Sequence, residues 1–245
     1  GQLESRNQVW ITSKVNNPRN NHLVLKQVRM LEMDQKTPEQ VGQETEAFFE
    51  QSLMNLNLGY VDLMLLHWPS EPSKGSVELN RQQRLESWRV LETLYQRGWC
   101  RAIGVFNYSV LHLEQLQQDG ATIVPMVNQI EASIEVQHVD IREYCKQHGI
   151  VPQAYSAMRG LSGKETPAVM KDLANKYHKD VGQIAYRYLI QLGYSVVYLT
   201  TSESRMASNA NVFDFALTAG EMDAINALND NENGGWGLPQ PSACL

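Results

Sequence analysis

Along the whole chain, short apolar runs alternate with longer segments in which apolar residues recur every three or four positions. That alternation is the pattern of repeated βα units rather than of an all-helical or all-strand fold. Six runs read as strands: residues 9–15, 61–66, 101–107, 126–132, 150–156 and 196–200. The run at 61–66 is almost continuously apolar, as a strand covered on both faces is, and Pro69 stops it. A helix is predicted from Thr37 and Pro38, where Thr supplies the cap oxygen, Pro takes the first helical position and Gln40 closes the box. Its residues Val41, Phe48, Phe49, Leu53 and Leu56 fall on one face. Further helices are predicted over 84–97, with Trp88, Leu91 and Leu94 at helical spacing, and from Ser109, with Leu111, Leu113 and Leu116. Another covers 141–148 and is ended by Gly149, and a longer one runs from Thr166 and Pro167 to about residue 192, interrupted near 178–180. Two short helices, 203–209 and 218–228, follow the last strand. Residues 16–36 are long for a connection in such a unit and read as an insertion or lid; residues 230–245, rich in Gly and Pro, read as a C-terminal loop.

Composition narrows the class. A chain of 245 residues, 42% hydrophobic and 20% charged, can bury one substantial core, and a single domain is expected. The net charge of −6 is mild and spread out, which argues against nucleic acid or an anionic membrane surface as partner. No apolar run is long enough to span a bilayer, and the first residues carry no signal-peptide pattern. Cys100, Cys145 and Cys244 are odd in number and lack metal-ligand spacing, which suits a reducing, cytoplasmic compartment. His22, His112, His138, His148 and His178 share no metal-binding spacing; they are expected at the surface, and no metal is expected.

In parallel α/β proteins, ligands gather beyond the carboxyl ends of the strands. His67 and Trp68 sit at such an end, directly after the run at 61–66. A titratable imidazole there is a candidate for chemistry, although the segment alone leaves a core histidine as an equal reading.

Five segments, YVDLMLLHWP at 60–69, AIGVFN at 102–107, VNQIE at 127–131, AYS at 154–156 and NVFDF at 211–215, together resemble the aldo-keto reductases in order and spacing. The resemblance covers nearly the whole chain. It implies an eight-stranded parallel (β/α)8 TIM-type barrel, represented here by about six βα units, and reduction of small aldehydes and ketones with NADPH, or less often NADH. In that family a hydride attacks the carbonyl carbon while a Tyr hydroxyl protonates the oxygen; a Lys paired with an Asp lowers the Tyr pKa, and a His orients the substrate. Lys14 and His67 match the Lys and His.

The family's first two strands precede the one matched by residues 9–15, and the second carries the Tyr and Asp, which have no match in these 245 residues. The resemblance therefore implies either a reductase whose barrel is completed by an N-terminal segment or a protein partner, or a catalytically silent binding or structural subunit. A lost donor of this kind costs roughly two to three orders of magnitude in rate.

The resemblance also implies a cofactor set. Asn107 and Gln129 match residues that hydrogen-bond the nicotinamide carboxamide, and Tyr155 matches the aromatic that stacks on its ring. Ser156 begins the loop near the pyrophosphate, while Thr200, Arg205 and Asn209 match residues at the adenosine end. Trp68 and Trp236 are candidates for the substrate pocket. Four departures stand out: Phe106 replaces the usual Ser, Leu199 the usual Lys before Thr200, Ser133 and Ile134 the usual His-Pro, and Ala157, Met158 and Arg159 the usual Pro-Leu-Gly. NADPH binding is expected to be weakened by Phe106 and Leu199, with NADH as the other option.

Overall fold

The computed structural model describes residues 5–15, 36–69, 76–161 and 166–230. The expected lid (16–36, except Lys36), the loop at 70–75, Cys244 and Trp236 lie outside the described residues. Within them the chain alternates β1 (Thr12–Val15), α1 (Pro38–Leu56), β2 (Leu63–Leu66), α2 (Val77–Gln96), β3 (Ile103–Phe106), α3 (Val110–Gln118), β4 (Val127–Glu131), α4 (Val139–Gln147) and β5 (Val151–Tyr155). There follow α5 (Ala168–Tyr177), α6 (Val181–Gln191), β6 (Ser195–Val196), α7 (Glu203–Ala210) and α8 (Ala219–Asn226). The strands form a parallel sheet in sequence order, β1-β2-β3-β4-β5-β6. Among the described helices none is long and apolar enough to cross a membrane. The described residues divide into two compact units, one up to Asn128 and one from Gln129.

In the first unit, Lys14 of β1 lies opposite Leu65 of β2, and Leu65 opposite Gly104 of β3. Side chains two apart share a face, so Leu63, Leu65, Ala102 and Gly104 build one face below Lys14. Leu63, Leu65 and Ala102 form a core cluster there, with Met126 and Val127 packed against it. Gly104 has a steric reason: a Cβ would stand 2.5 Å from the Val127 carbonyl oxygen and 2.8 Å from Leu65 Cδ2. The opposite face carries Met64, Leu66, Ile103 and Val105, all buried.

The capping box of Thr37 and Gln40 starts α1 as expected, and Val41, Phe49 and Leu53 are buried on its inner face. Leu56 is 43% exposed, because the helix reaches its end at Asn57, whose left-handed φ of 51° turns the chain away. Leu111 of α3 is likewise exposed, while Leu113 and Leu116 are buried. Helix α2 begins at Val77, earlier than the expected 84, with Ser76 as cap. Its first turns bury polar residues that periodicity does not count: Gln83 donates to the Lys36 carbonyl at 2.8 Å and Arg84 to Gln115 at 3.1 Å. Farther along, Glu92 accepts the backbone N–H groups of Thr122 and Ile123 at 2.7 Å each, which satisfies a buried carboxylate.

The N-terminal approach to β1 is anchored by Asp62, whose side chain is 1% exposed. It accepts from Arg6 at 2.7 Å, the Ile11 N–H at 2.8 Å and Arg101 at 3.3 Å. Burial alone would raise its pKa, but these donors outweigh burial and hold it below the usual carboxylate value.

In the second unit the expected break at 178–180 is present. His178 ends α5 with φ 53°, and Asp180 forms a capping box with Gln183 that starts α6. Buried hydroxyls tie the helices: Tyr194 donates to the Gln137 carbonyl at 2.8 Å and Tyr188 to Asn226 at 2.7 Å. Strand β6 is shorter than the expected 196–200, since beyond Val197, which donates to the Ala154 carbonyl, the chain leaves the sheet and exposes Tyr198 and Leu199. Cys100 and Cys145 are buried free thiols.

Candidate active site

The carboxyl ends of β1, β2 and β3 bring four side chains together. Lys14, His67 and Phe106 fall on one face because His67 is two residues beyond Leu65 and Phe106 two beyond Gly104. The His67 N–H donates to the Val15 carbonyl at 2.9 Å, carrying the strand pairing to the imidazole. Lys14 Nζ stands 4.0 Å from the centre of the Phe106 ring, a cation–π arrangement. The His67 ring meets Phe106 edge-on at 4.8 Å, and Trp68 meets Phe106 at 5.8 Å. Phe106 is 6% exposed, while Lys14, His67 and Trp68 are half-buried.

Burial sets the charges here. It pulls the Lys14 ammonium down to about 8, and among the described residues no carboxylate offsets it. Burial, with the neighbouring Lys14 charge, pulls His67 down to about 4, so the imidazole is neutral at pH 7. A neutral imidazole can donate one N–H to a ligand oxygen, and the adjacent cation polarises the same region.

Asn107 follows Phe106 in a left-handed conformation, φ 61°, which asparagine tolerates better than most side chains, and it is buried. The turn behind it is held by Asn128, whose amide donates to the Tyr108 carbonyl at 2.9 Å. Ser109 then caps α3. His112, expected at the surface, is instead fully buried, because its Nδ1 closes the box by accepting the Ser109 N–H at 3.2 Å.

The second unit carries the other sequence candidates. Gln129 is 3% exposed and its amide donates to the Gln153 side chain, which in turn donates to Ser195 Oγ at 3.3 Å. Tyr155 and Ser156 are half-buried, Ser156 with φ 57°. The turn they open is held by Arg159, which donates to Glu131 at 2.7 Å. Thr200, Arg205 and Asn209 lie on one stretch: Thr200 Oγ1 accepts the Ser202 N–H at 3.1 Å, and Ser202 caps α7. Arg205 is exposed, and Leu199 is 96% exposed. Among the described residues no three metal-ligating side chains cluster.

Sequence reasoning missed three features. The contact of the Phe106 ring with Lys14 was not anticipated. Gln153 and Ser195 were not singled out, although Gln153 stands two residues before Tyr155 and so shares its face. The Arg159–Glu131 pair occupies one of the departures, with no signal in spacing.

The model of the Aldo/keto reductase family matches residues 2–230. An uncharacterized oxidoreductase of Bacillus subtilis, YtbE, is 41% identical over 189 residues, covering 77% of this chain and 63% of its own length. A glyoxal reductase of the same organism is 40% identical over 210 residues, covering 84% of this chain and 70% of its own length. Among solved structures, a Bombyx mori aldo-keto reductase in complex with NADP superposes with TM-score 0.73 at 31% identity, over 93% of this chain and 70% of that one. A deep-sea metagenome aldo-keto reductase, MGS-M4, gives TM-score 0.75 at 30% identity, over 94% and 74%. The chain thus spans about two thirds of the length of the curated relatives it matches. It belongs to the aldo-keto reductase family, and its α/β fold is that of the (β/α)8 barrel, represented by six βα units.

Proposed function

We propose that this chain carries the carbonyl-reducing chemistry of its family, turning a small aldehyde or ketone into an alcohol with a reduced nicotinamide dinucleotide. The observation that carries the reading is the cluster at the ends of β1–β3: a neutral His67 imidazole and the Lys14 cation on one sheet face. His67 would donate to the carbonyl oxygen and orient it. Lys14 would stabilise negative charge developing there, in a half-buried position where that stabilisation exceeds its value in water. Trp68 and Phe106 supply an apolar wall beside them. The glyoxal reductase among the relatives supports small dicarbonyls as a substrate class.

The residues fit a nicotinamide in part. In the first unit Asn107 is a buried amide, and in the second Gln129 is a buried amide and Tyr155 a half-buried ring; each is of the side-chain type that a carboxamide or a nicotinamide ring would call for. The adenosine end fits a 2′-phosphate less well: Leu199 brings no charge, and Arg205 and Thr200 remain to receive it. NADPH is the proposed cofactor, with NADH the alternative that Leu199 favours. When bound, the dinucleotide supplies the hydride. The proton comes, in this reading, from the family's Tyr on an upstream segment or a partner. Two buried free thiols support a reducing, cytoplasmic setting.

The test is steady-state turnover of glyoxal, followed by loss of reduced-nicotinamide absorbance, for the natural protein and its His67→Ala variant. The expected result is turnover with kcat/KM about 100-fold lower in the variant. Turnover at the protein-free background, or equal in the two proteins, overturns the reading.

A further inference from the structure

A row of three polar side chains crosses neighbouring strands in the second unit: Gln129 on β4, Gln153 on β5 and Ser195 on β6. Gln153 and Ser195 are register partners, so the row follows the sheet rather than a loop. A buried glutamine amide is nearly symmetric in shape and can sit in either of two orientations that exchange its oxygen and nitrogen. In the structure one of these orientations is adopted. The Gln129 nitrogen donates to the Gln153 oxygen, and the Gln153 nitrogen donates to Ser195 Oγ at 3.3 Å. With its nitrogen engaged, Gln129 keeps its carbonyl oxygen as the acceptor for a ligand, and it is too buried for water to substitute freely.

We propose that Gln153, backed by Ser195, is a positioning residue. It locks Gln129 with its oxygen available to accept the N–H of a nicotinamide carboxamide, and so makes the site selective for an amide over a ketone at that place. The inference rests on the reading that Gln129 meets the carboxamide. A site built to accept an N–H discriminates against an analogue that lacks one, because the buried acceptor is then left unsatisfied.

The experiment is equilibrium fluorescence titration of the full chain with NADH and with its 3-acetylpyridine analogue, in which a ketone replaces the amide. The expected result is that the wild-type chain binds NADH about tenfold more tightly than the analogue. In Gln153→Leu the Gln129 amide is free to rotate and offer its N–H to the ketone, so the preference falls to about twofold or less. Gln153→Glu, whose carboxylate still accepts from Gln129, retains the wild-type preference. A Gln153→Leu chain that weakens both ligands equally, or keeps the full preference, overturns the proposal while leaving the role of Gln129 intact. A wild-type chain that binds NADH without any preference overturns the role of Gln129 itself, and the positioning role with it. Absence of NADH binding in a folded wild-type chain does the same. Far-ultraviolet circular dichroism of each variant confirms that the comparison is between folded proteins.

Discussion

Phe106→Ser restores the residue usual in the family and removes the ring that Lys14 faces at 4.0 Å. Two effects on Lys14 oppose each other. The ring face favours the ammonium by about 0.5–1 kcal/mol, while the same ring excludes water and disfavours it. Lys14 sits at about 8 rather than its ordinary 10.5 because burial disfavours its charged form. The Phe106 ring is part of that cover, so loss of water exclusion is expected to be the larger effect. Phe106→Ser therefore raises the Lys14 pKa towards 10.5. The linkage has a definite sign. Between pH 8 and 10.5 the unfolded chain holds a proton that folded Lys14 has lost, so Lys14 makes stability rise with pH across that window, and its penalty is complete below pH 8. A gap of that size is worth about 3 kcal/mol for a fully buried amine, and partial exposure reduces it to about 1–2 kcal/mol. Losing the buried ring costs about 3–5 kcal/mol in packing. The substitution is thus less costly at pH 7 than at pH 10.5, by about 1 kcal/mol. Urea unfolding of both proteins at the two pH values measures the difference, and nuclear magnetic resonance of isotopically dimethylated Lys14 reads its titration. A variant Lys14 that still titrates near 8, or a cost independent of pH, refutes the reasoning.

Two further outcomes follow from named contacts. Asp62→Ala strands Arg6, Arg101 and the Ile11 N–H around an empty position, and is expected to destabilise by about 3–5 kcal/mol in urea unfolding at pH 7. Because the folded pKa of Asp62 is depressed, its contribution is present above pH 3.8 and disappears as pH falls through the lower folded value, so the cost of the substitution shrinks in acid. Leu199→Lys places a cation where a fully exposed leucine now stands, and is expected to tighten NADPH about tenfold while leaving NADH nearly unchanged in parallel titrations.

What the sequence made legible was mostly local. The Thr37–Gln40 box, the stop at Gly149 and the break before Asp180 depend on residues within one turn of each other, and all three stand where the pattern put them. The beginning of α2 was not legible, because its inner face buries Asn80, Gln83 and Arg84, which a hydrophobic pattern reads as outward. His112 was misplaced for the same reason: its burial is satisfied by a cap three residues back. Residues 197–200 look like strand from composition, but no partner strand holds them beyond Val197 among the described residues. At the candidate site, Lys14 and His67 were visible as residues through their motifs. Their convergence on Phe106 depends on the register of β1 against β2 and β3, which no single segment contains. The row from Gln129 to Ser195 has the same origin, since it joins three strands through side chains that each look unremarkable alone.

The measurement that bears most directly on the central claim is a titration of the purified chain with NADPH and NADH, read by quenching of tryptophan fluorescence. The account predicts saturable binding at micromolar cofactor, abolished or strongly weakened when Asn107 and Gln129 are both replaced by alanine. No binding up to millimolar concentrations of either cofactor, in a chain shown to be folded, contradicts it.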